Sequence, residues 1–261
     1  MGKLEPHWQS VPHCPTLEEN LVHVWSLSLE RVNMIAHEYK NLLSVIERNT
    51  ASRFVIASAR ERYIVVHGTL RKLLAGYLDL QPIDIHFTYE FHGKPLVCDN
   101  AQGASLCFNI SHSDEMALFA FSYGRRVGVD LERIRELDDL DLVLAKTFSS
   151  TEIARLRSFT LTDKVEGFYR GWTIKEAYLK AIGEGISRDL REIEVSIGAE
   201  GHLCLSDGAE EYCVSDTWRF EPLVPANGYM GALAVDGREW QLILMDYPSQ
   251  PEETNPTDQV N

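Results

Sequence analysis

Val127-Gly-Val-Asp-Leu-Glu132 is the stretch from which the rest of the chain can be ordered. Its alternation puts Val127, Val129 and Leu131 on one face of a strand and Gly128, Asp130 and Glu132 on the other. Downstream, helical patterning runs near 140–157 and 162–182, followed by short strands around 193–197, 202–205, 212–220 and 229–247. Upstream the same plan is met once already. A strand at 21–29 precedes helical patterning at 34–48 and 57–78, then strands at 85–91, 106–111 and 116–122. Ile64, Val65, Leu70, Leu73, Leu74 and Leu78 form the apolar stripe of the long helix, and His92-Gly-Lys-Pro95 is a loop by its glycine and proline. Strand, long helix and antiparallel strands thus occur twice. This predicts an α+β fold of two similar lobes related by a pseudo-twofold, each a long helix packed on a small, mostly antiparallel sheet. The expected divisions are an irregular N-terminus (1–20), an N-terminal lobe (21–124), a C-terminal lobe (125–247) and a disordered, proline-containing tail (248–261).

The chain of 261 residues carries 39 Asp and Glu against 25 Lys and Arg, a formal net charge of −14. Non-specific nucleic-acid binding needs a basic stripe to release phosphate counterions, and an anionic membrane surface needs a polybasic one, so neither partner is expected. An anionic substrate must be met by a local cluster of Lys, Arg and His, or by a metal ion. Five cysteines (Cys14, Cys98, Cys107, Cys204, Cys213) are odd in number and form no C-x-x-C pair. That argues against a disulfide framework or a structural zinc. With no signal-like N-terminus and only strand-sized apolar runs, such as Met116 to Phe121, the expected setting is cytoplasmic.

Two carboxylates on one strand face, Asp130 and Glu132, repel one another. A hard cation such as Mg²⁺, which takes oxygen ligands, relieves that repulsion; the alternative is a solvated edge face. In Phe168-Tyr-Arg-Gly-Trp-Thr-Ile-Lys-Glu-Ala-Tyr-Leu-Lys180, Glu176 and Lys180 stand one turn apart on a helix. They are either a surface ion pair worth a few tenths of a kcal/mol, or Glu176 completes a carboxylate trio and Lys180 faces a phosphate. In Phe108-Asn-Ile-Ser-His-Ser113, neighbours point to opposite faces, so a Ser-His dyad is not expected. His112 is better placed as a donor to an anion. Together with Lys94, Arg53 and Arg62 it supplies the local positive charge that the acidic background demands, unless each is simply a solvated surface residue.

Taken in order, these segments resemble the signature motifs of the 4′-phosphopantetheinyl transferases, specifically the large, monomeric, surfactin-synthetase-activating type. The match consists of G-V-D-x-E at 128–132 followed by W-x-x-K-E-A-x-x-K at 172–180. Upstream lie Arg53-Phe54 with a later R-x-R ending at Arg62, then Gly93-Lys94-Pro95, then F-N-I-S-H-S at 108–113; F-S-x-T-E at 148–152 falls between the two main motifs. The resemblance spans roughly residues 20–245. It implies an enzyme that moves the 4′-phosphopantetheine arm of coenzyme A onto a serine of an apo acyl or peptidyl carrier protein and releases adenosine 3′,5′-bisphosphate. Carried over by position, Asp130, Glu132 and Glu176 hold Mg²⁺, Glu176 is the general base and Lys180 contacts the phosphates. Arg53, Gly93, Lys94, Pro95, Asn109, Ser111 and His112 line the coenzyme A pocket, with His112 on the 3′-phosphate. Lys175 belongs to the motif without an assigned role. Where family members often carry a basic residue this chain has Thr50, and Arg53, Arg48 or Arg62 is the expected substitute. Two other readings share these residues: a non-catalytic coenzyme A-binding module and a Mg²⁺-dependent diphosphate hydrolase. Because carrier proteins are usually acidic themselves, docking is expected on an apolar or locally basic patch near 34–48 or 140–165.

Overall fold

The computed structural model describes residues 7–11, 13–97, 105–185, 188–195, 203–206, 211–214 and 217–248, with backbone alone at 203–206 and 211–213. The expected tail lies outside them from residue 249 onward. The first half of the chain forms β1 (Gln9–Ser10), β2 (Leu21–Ser28), α1 (Val32–Lys40), α2 (Val45–Ser52), α3 (Ala57–Leu78), β3 (Phe87–Tyr89), β4 (Pro95–Val97), β5 (Leu106–Ser113) and β6 (Met116–Tyr123). The second half forms β7 (Val127–Arg133), α4 (Leu140–Thr147), α5 (Ser150–Arg157), α6 (Leu161–Ile182), β8 (Ile193–Val195), β9 (Leu203–Ser206), β10 (Glu211–Cys213), β11 (Trp218–Leu223), β12 (Tyr229–Asp236) and β13 (Gln241–Asp246). Among the described residues each lobe therefore holds two short α-helices and one of 22 residues, packed on mostly antiparallel sheet.

Three sequence expectations are corrected. The helical stretches 34–48 and 140–157 are each two helices: the first ends at Asn41 or Phe148, and a serine starts the next. Ser44 and Glu47 form a reciprocal capping box at the head of α2, and Ser149 and Glu152 do the same for α5. The strand expected at 229–247 breaks at Gly237, whose φ of +81° suits glycine. Its second half, β13, runs parallel to β2. The last strand therefore leaves the second lobe and joins the first lobe's sheet, whose order is β1-β13-β2-β6-β5. The two-residue β1 makes the edge of that sheet, inside the segment expected to be irregular. No helix among the described residues is long and apolar enough to cross a membrane.

The layers follow from which strand faces are apolar. On β2 and β6 both faces are buried. Trp25, Leu27, Phe119 and Phe121 pack against α3 residues such as Leu70 and Leu74. Val22, Val24, Leu118 and Ala120 pack against Val127, Val129 and Leu131 of β7 and Leu233 and Val235 of β12. These central strands therefore read as nearly continuous apolar runs. The second sheet, β11-β12-β7, turns its other face to α6, where Ala177, Tyr178 and Ala181 meet Ala232 and Ala234. Small residues let the helix approach closely. A Cβ on Gly128 would stand 2.0 Å from the Ala177 carbonyl oxygen.

Each lobe also hides an ion pair at the same place. Arg71 of α3 donates to Glu47 at 2.8 Å and to the carbonyls of Pro82 and Ile85. Lys175 of α6 donates to Glu152 at 2.8 Å and to the carbonyls of Thr147 and Leu190. Both cations are nearly fully buried, and such burial is tolerated because the charge is paired and its donors are matched by acceptors.

Candidate functional site

The site grows from a seam between two sheet edges. β5 ends the first sheet and β7 ends the second, and side chains rather than a backbone ladder join them. Asn109 Oδ1 accepts the Val129 N–H at 2.9 Å, Ser111 Oγ the Leu131 N–H at 3.2 Å, and Ser113 Oγ the Arg133 N–H at 3.0 Å. Alternate residues of one strand thus satisfy alternate amides of the other, which is what the period of two allows. The face of Gly128, Asp130 and Glu132, which could have been a solvated edge, is enclosed by this seam and by α6, and Asp130 is 4% exposed.

Into this enclosure α6 delivers Glu176 and Lys180. Lys180 does not form a surface pair with Glu176. Its Nζ donates to Asp130 Oδ1 at 2.6 Å, to Ser111 Oγ at 2.9 Å and to the Val129 carbonyl at 3.3 Å. Ser111 in turn donates to Asp130 Oδ1 at 3.1 Å. Glu132 accepts from Ser113 at 3.1 Å, with the Trp172 indole of α6 nearby. The Glu132 pKa is raised by burial and by the Asp130 charge, against the lowering effects of Ser113, Lys180 and Trp172. Glu176 is likewise raised, by burial first and then by Asp130, with Lys180 opposing and Glu132 adding. Three acidic groups therefore share one partly dehydrated space with a single ammonium among them.

The remaining expected residues divide. His112 is beside the cluster. Its pKa is lowered by desolvation in the cleft and then by Lys180 and Arg62, although its outer edge remains exposed. Arg62 reaches from α3 to pair with Glu115 in the β5–β6 turn. Lys94 donates to the carbonyls of Ala181 at 2.7 Å and Val127 at 3.3 Å, closing the C-terminal end of α6, where a cation is favoured. Gly93, at φ +85°, makes the tight turn that precedes it, and Pro95 begins β4. Arg53 caps the C-terminus of α2 on the exposed surface and is not drawn into the cluster. Arg48 is tied to the Leu43 carbonyl, and Thr50 to that of Ile46. Lys175, left without a role by the sequence, is the buried partner of Glu152. Ser113 and Trp172 are site residues that sequence reasoning missed. The signal for Ser113 was present, because Ser111-x-Ser113 and Asp130-x-Glu132 share the same spacing.

Among the described residues no three His, Cys, Asp or Glu side chains already stand as a metal-holding group, and Lys180 takes part of the place a cation would use. The donor set nevertheless fits a hard divalent ion. It is all oxygen, its charges oppose one another, and Asp130 Oδ2 is buried with no hydrogen-bond partner.

Fold and site together define a two-lobed α+β protein in which three carboxylates and a lysine gather between a long helix and two sheet edges. Residues 32–123 match the family model described as 4′-phosphopantetheinyl transferase, N-terminal, and residues 126–234 that of the 4′-phosphopantetheinyl transferase superfamily. The chain is 36% identical to 4′-phosphopantetheinyl transferase HetI of Nostoc sp., over 91% of this chain and 97% of that protein. It is 35% identical to 4′-phosphopantetheinyl transferase gsp of Aneurinibacillus migulanus over 58% and 61%, and 26% identical to 4′-phosphopantetheinyl transferase Sfp of Bacillus subtilis over 70% and 80%. The chain belongs to the 4′-phosphopantetheinyl transferase superfamily.

Proposed function

We propose that this chain transfers the 4′-phosphopantetheine group of coenzyme A to a serine hydroxyl of an apo acyl or peptidyl carrier protein, with Mg²⁺, as in the large surfactin-synthetase-activating type. The observation that carries this reading is the convergence of Asp130, Glu132, Glu176 and Lys180, with the buried Asp130 Oδ2 unpartnered. In the transfer, the serine oxygen bonds to the β-phosphorus of coenzyme A, the diphosphate bridge breaks and adenosine 3′,5′-bisphosphate leaves. Asp130, Glu132 and Glu176 would hold the ion, and bound Mg²⁺ supplies charge neutralisation of the diphosphate. Lys180 stabilises the charge that develops on the phosphate oxygens. Glu176 accepts the serine proton, and burial among carboxylates raises its basicity in the direction such a role needs. Arg62 offers positive charge for the remaining phosphate and His112 a ring N–H donor, while Lys94, Gly93, Pro95 and Asn109 shape the adjoining wall and Arg53, at the exposed end of α2, stands apart from the cluster. Because one chain supplies the first-lobe strand β5 and the second-lobe elements β7 and α6, the reading needs only a monomer, and Cys14 and Cys107, both free thiols, suit a cytoplasmic one.

The test is mass spectrometry of an apo carrier protein incubated with coenzyme A and Mg²⁺. The carrier is expected to gain the mass of one phosphopantetheine group, and E176A, still folded, is expected to leave it unmodified. An unmodified carrier with cleaved coenzyme A would make the protein a diphosphate hydrolase instead. Bound but intact coenzyme A with an unmodified carrier would make it a binding module.

A further inference from the structure

The seam between β5 and β7 does more than join the lobes. Each of its two serines makes a paired contact: the oxygen accepts the backbone N–H of one β7 residue, and the hydroxyl proton is given to the carboxylate of the residue just before it. Ser111 takes the Leu131 N–H and donates to Asp130. Ser113 takes the Arg133 N–H and donates to Glu132. The same unit therefore repeats every second residue along both strands, so Ser-x-Ser on β5 is in register with Asp-x-Glu on β7. A one-residue slip would break both contacts at once. Ser111 is shared with Lys180, whereas Ser113 serves Glu132 and the Arg133 amide. Because Ser113 is the last residue of β5, bordering the Asp114-Glu115 turn, its place is set by the first lobe. Glu132 is set by the second.

We infer that Ser113 is a positioning residue: a first-lobe hydroxyl that fixes the Glu132 carboxylate and so sets the geometry in which the acidic cluster takes a divalent cation. A carboxylate held by a fixed donor has fewer conformers left to lose on binding, and removing such a supporting hydrogen bond weakens metal binding. This inference rests on the proposed function, because it assumes that Glu132 is a ligand.

The test measures Mn²⁺ binding by the loss of the free-ion electron paramagnetic resonance signal in wild type, S113A, S113T, E132Q and S113A/E132Q, with thermal melting and carrier loading alongside. S113A is expected to bind Mn²⁺ about tenfold more weakly and to need correspondingly more Mg²⁺ for half-maximal loading, with the maximal rate much less changed. S113T keeps the hydroxyl and is expected to stay within about twofold of wild type. In the E132Q background the S113A change is expected to cost much less, because the neutral amide, whose oxygen Ser113 still meets, contributes little to holding the ion. Should S113A not fold, S113C replaces it in every arm, its thiol being a weak donor of similar size. Equal Mn²⁺ affinity in wild type and S113A overturns the inference, as does a full additional loss in the E132Q background. A wild type that binds no Mn²⁺ and loads no carrier overturns the proposed function and this inference with it. A wild type that does both, beside an S113A of unchanged metal affinity, overturns this inference alone.

Discussion

Gly128→Ala should damage stability and activity together. A Cβ at this position would stand 2.0 Å from the Ala177 carbonyl oxygen, 2.5 Å from the Ala181 amide nitrogen and 2.9 Å from its Cα. Ordinary contact begins at 3.4 Å, so the nearest approach is short by about 1.4 Å. The obstructing atoms are helix backbone, which cannot step aside as a rotamer can. α6 must therefore move off the sheet as a unit, or β7 must bow away into the Val22, Val24 and Leu118 layer behind it. Overpacking a core costs about 1–3 kcal/mol, and the absence of any flexible neighbour places this case near the upper end. The same displacement moves Lys180 from the 2.6 Å contact it makes with Asp130, two residues along β7, and shifts Glu176 with it. A misplacement of about 1 Å in a reacting group costs on the order of 100-fold in rate. Urea unfolding followed by tryptophan fluorescence should show a lower midpoint with an unchanged slope, and carrier loading by the folded variant should fall by about two orders of magnitude. Wild-type stability and loading in G128A would refute the close packing of α6 on β7.

Other perturbations read other parts of the molecule. Lys175→Met strands the buried Glu152 carboxylate, which also accepts the amides of Ser149 and Val195; it should cost about 3–5 kcal/mol in urea unfolding, and the double variant K175M/E152Q should recover part of that loss. His23 is buried beside the Tyr77 hydroxyl, 2.9 Å away, and burial lowers its pKa from 6.5 to about 4. The unfolded chain then binds a proton more readily than the folded one, so this residue's share of stability is complete above pH 6.5 and is lost as pH falls towards 4. At about 1.4 kcal/mol per pH unit the loss reaches about 3 kcal/mol, and H23Q should flatten that stretch of the stability profile measured by urea midpoint. Raising salt should not weaken carrier binding steeply, because screening also removes the repulsion between an acidic carrier and a chain of net charge −14; a steep loss in titrations at increasing salt would reveal a strongly basic docking patch.

How far the sequence carried the fold differs from element to element. The bounds of α3 at 57–78 could be read because a long apolar stripe runs into Asp79, which takes the left-handed cap. The splits inside 34–48 and 140–157 are masked by continuous amphipathic patterning, although Ser44-x-x-Glu47 and Ser149-x-x-Glu152 mark both restarts. No local pattern could have sent β13 back to β2, since the choice of sheet partner depends on the whole packing. At the site, the periods of two and 3.6 residues already placed Asp130 with Glu132 and Glu176 with Lys180. They left open whether those faces were solvated, and it is β5 lying against the edge of β7 that closes them. Lysines were the least legible residues. Lys94, Lys175 and Lys180 have the same side chain, yet the first closes a helix end, the second is entombed with Glu152 and the third bridges Asp130 to Ser111. Which acceptors surround an ammonium is a tertiary fact.

Departures from the pseudo-twofold explain why a carboxylate and an ammonium gather beneath α6 and not beneath α3. Both long helices have 22 residues, and the fifteenth of each is the buried cation, Arg71 in α3 and Lys175 in α6. One residue further on, the lobes part ways. α6 carries Glu176, facing the carboxylates of β7, whereas α3 carries Lys72, whose ammonium lies 5.3 Å from the centre of the Tyr39 ring. One turn beyond, α6 carries Lys180 and α3 carries Gly76, where a Cβ would come within 2.9 Å of Cys14. The sheet face below α3 presents Trp25, Phe119 and Phe121, which could not compensate a carboxylate and an ammonium placed at the same two positions. The first lobe therefore spends those positions on packing and contributes to the cleft through the other face of its edge strand, where Asn109, Ser111 and Ser113 alternate with Phe108 and Ile110. Neither lobe holds the site by itself. The charged face of α6 needs β7 beneath it, and β7 needs the hydroxyls of β5 to keep its carboxylates in place.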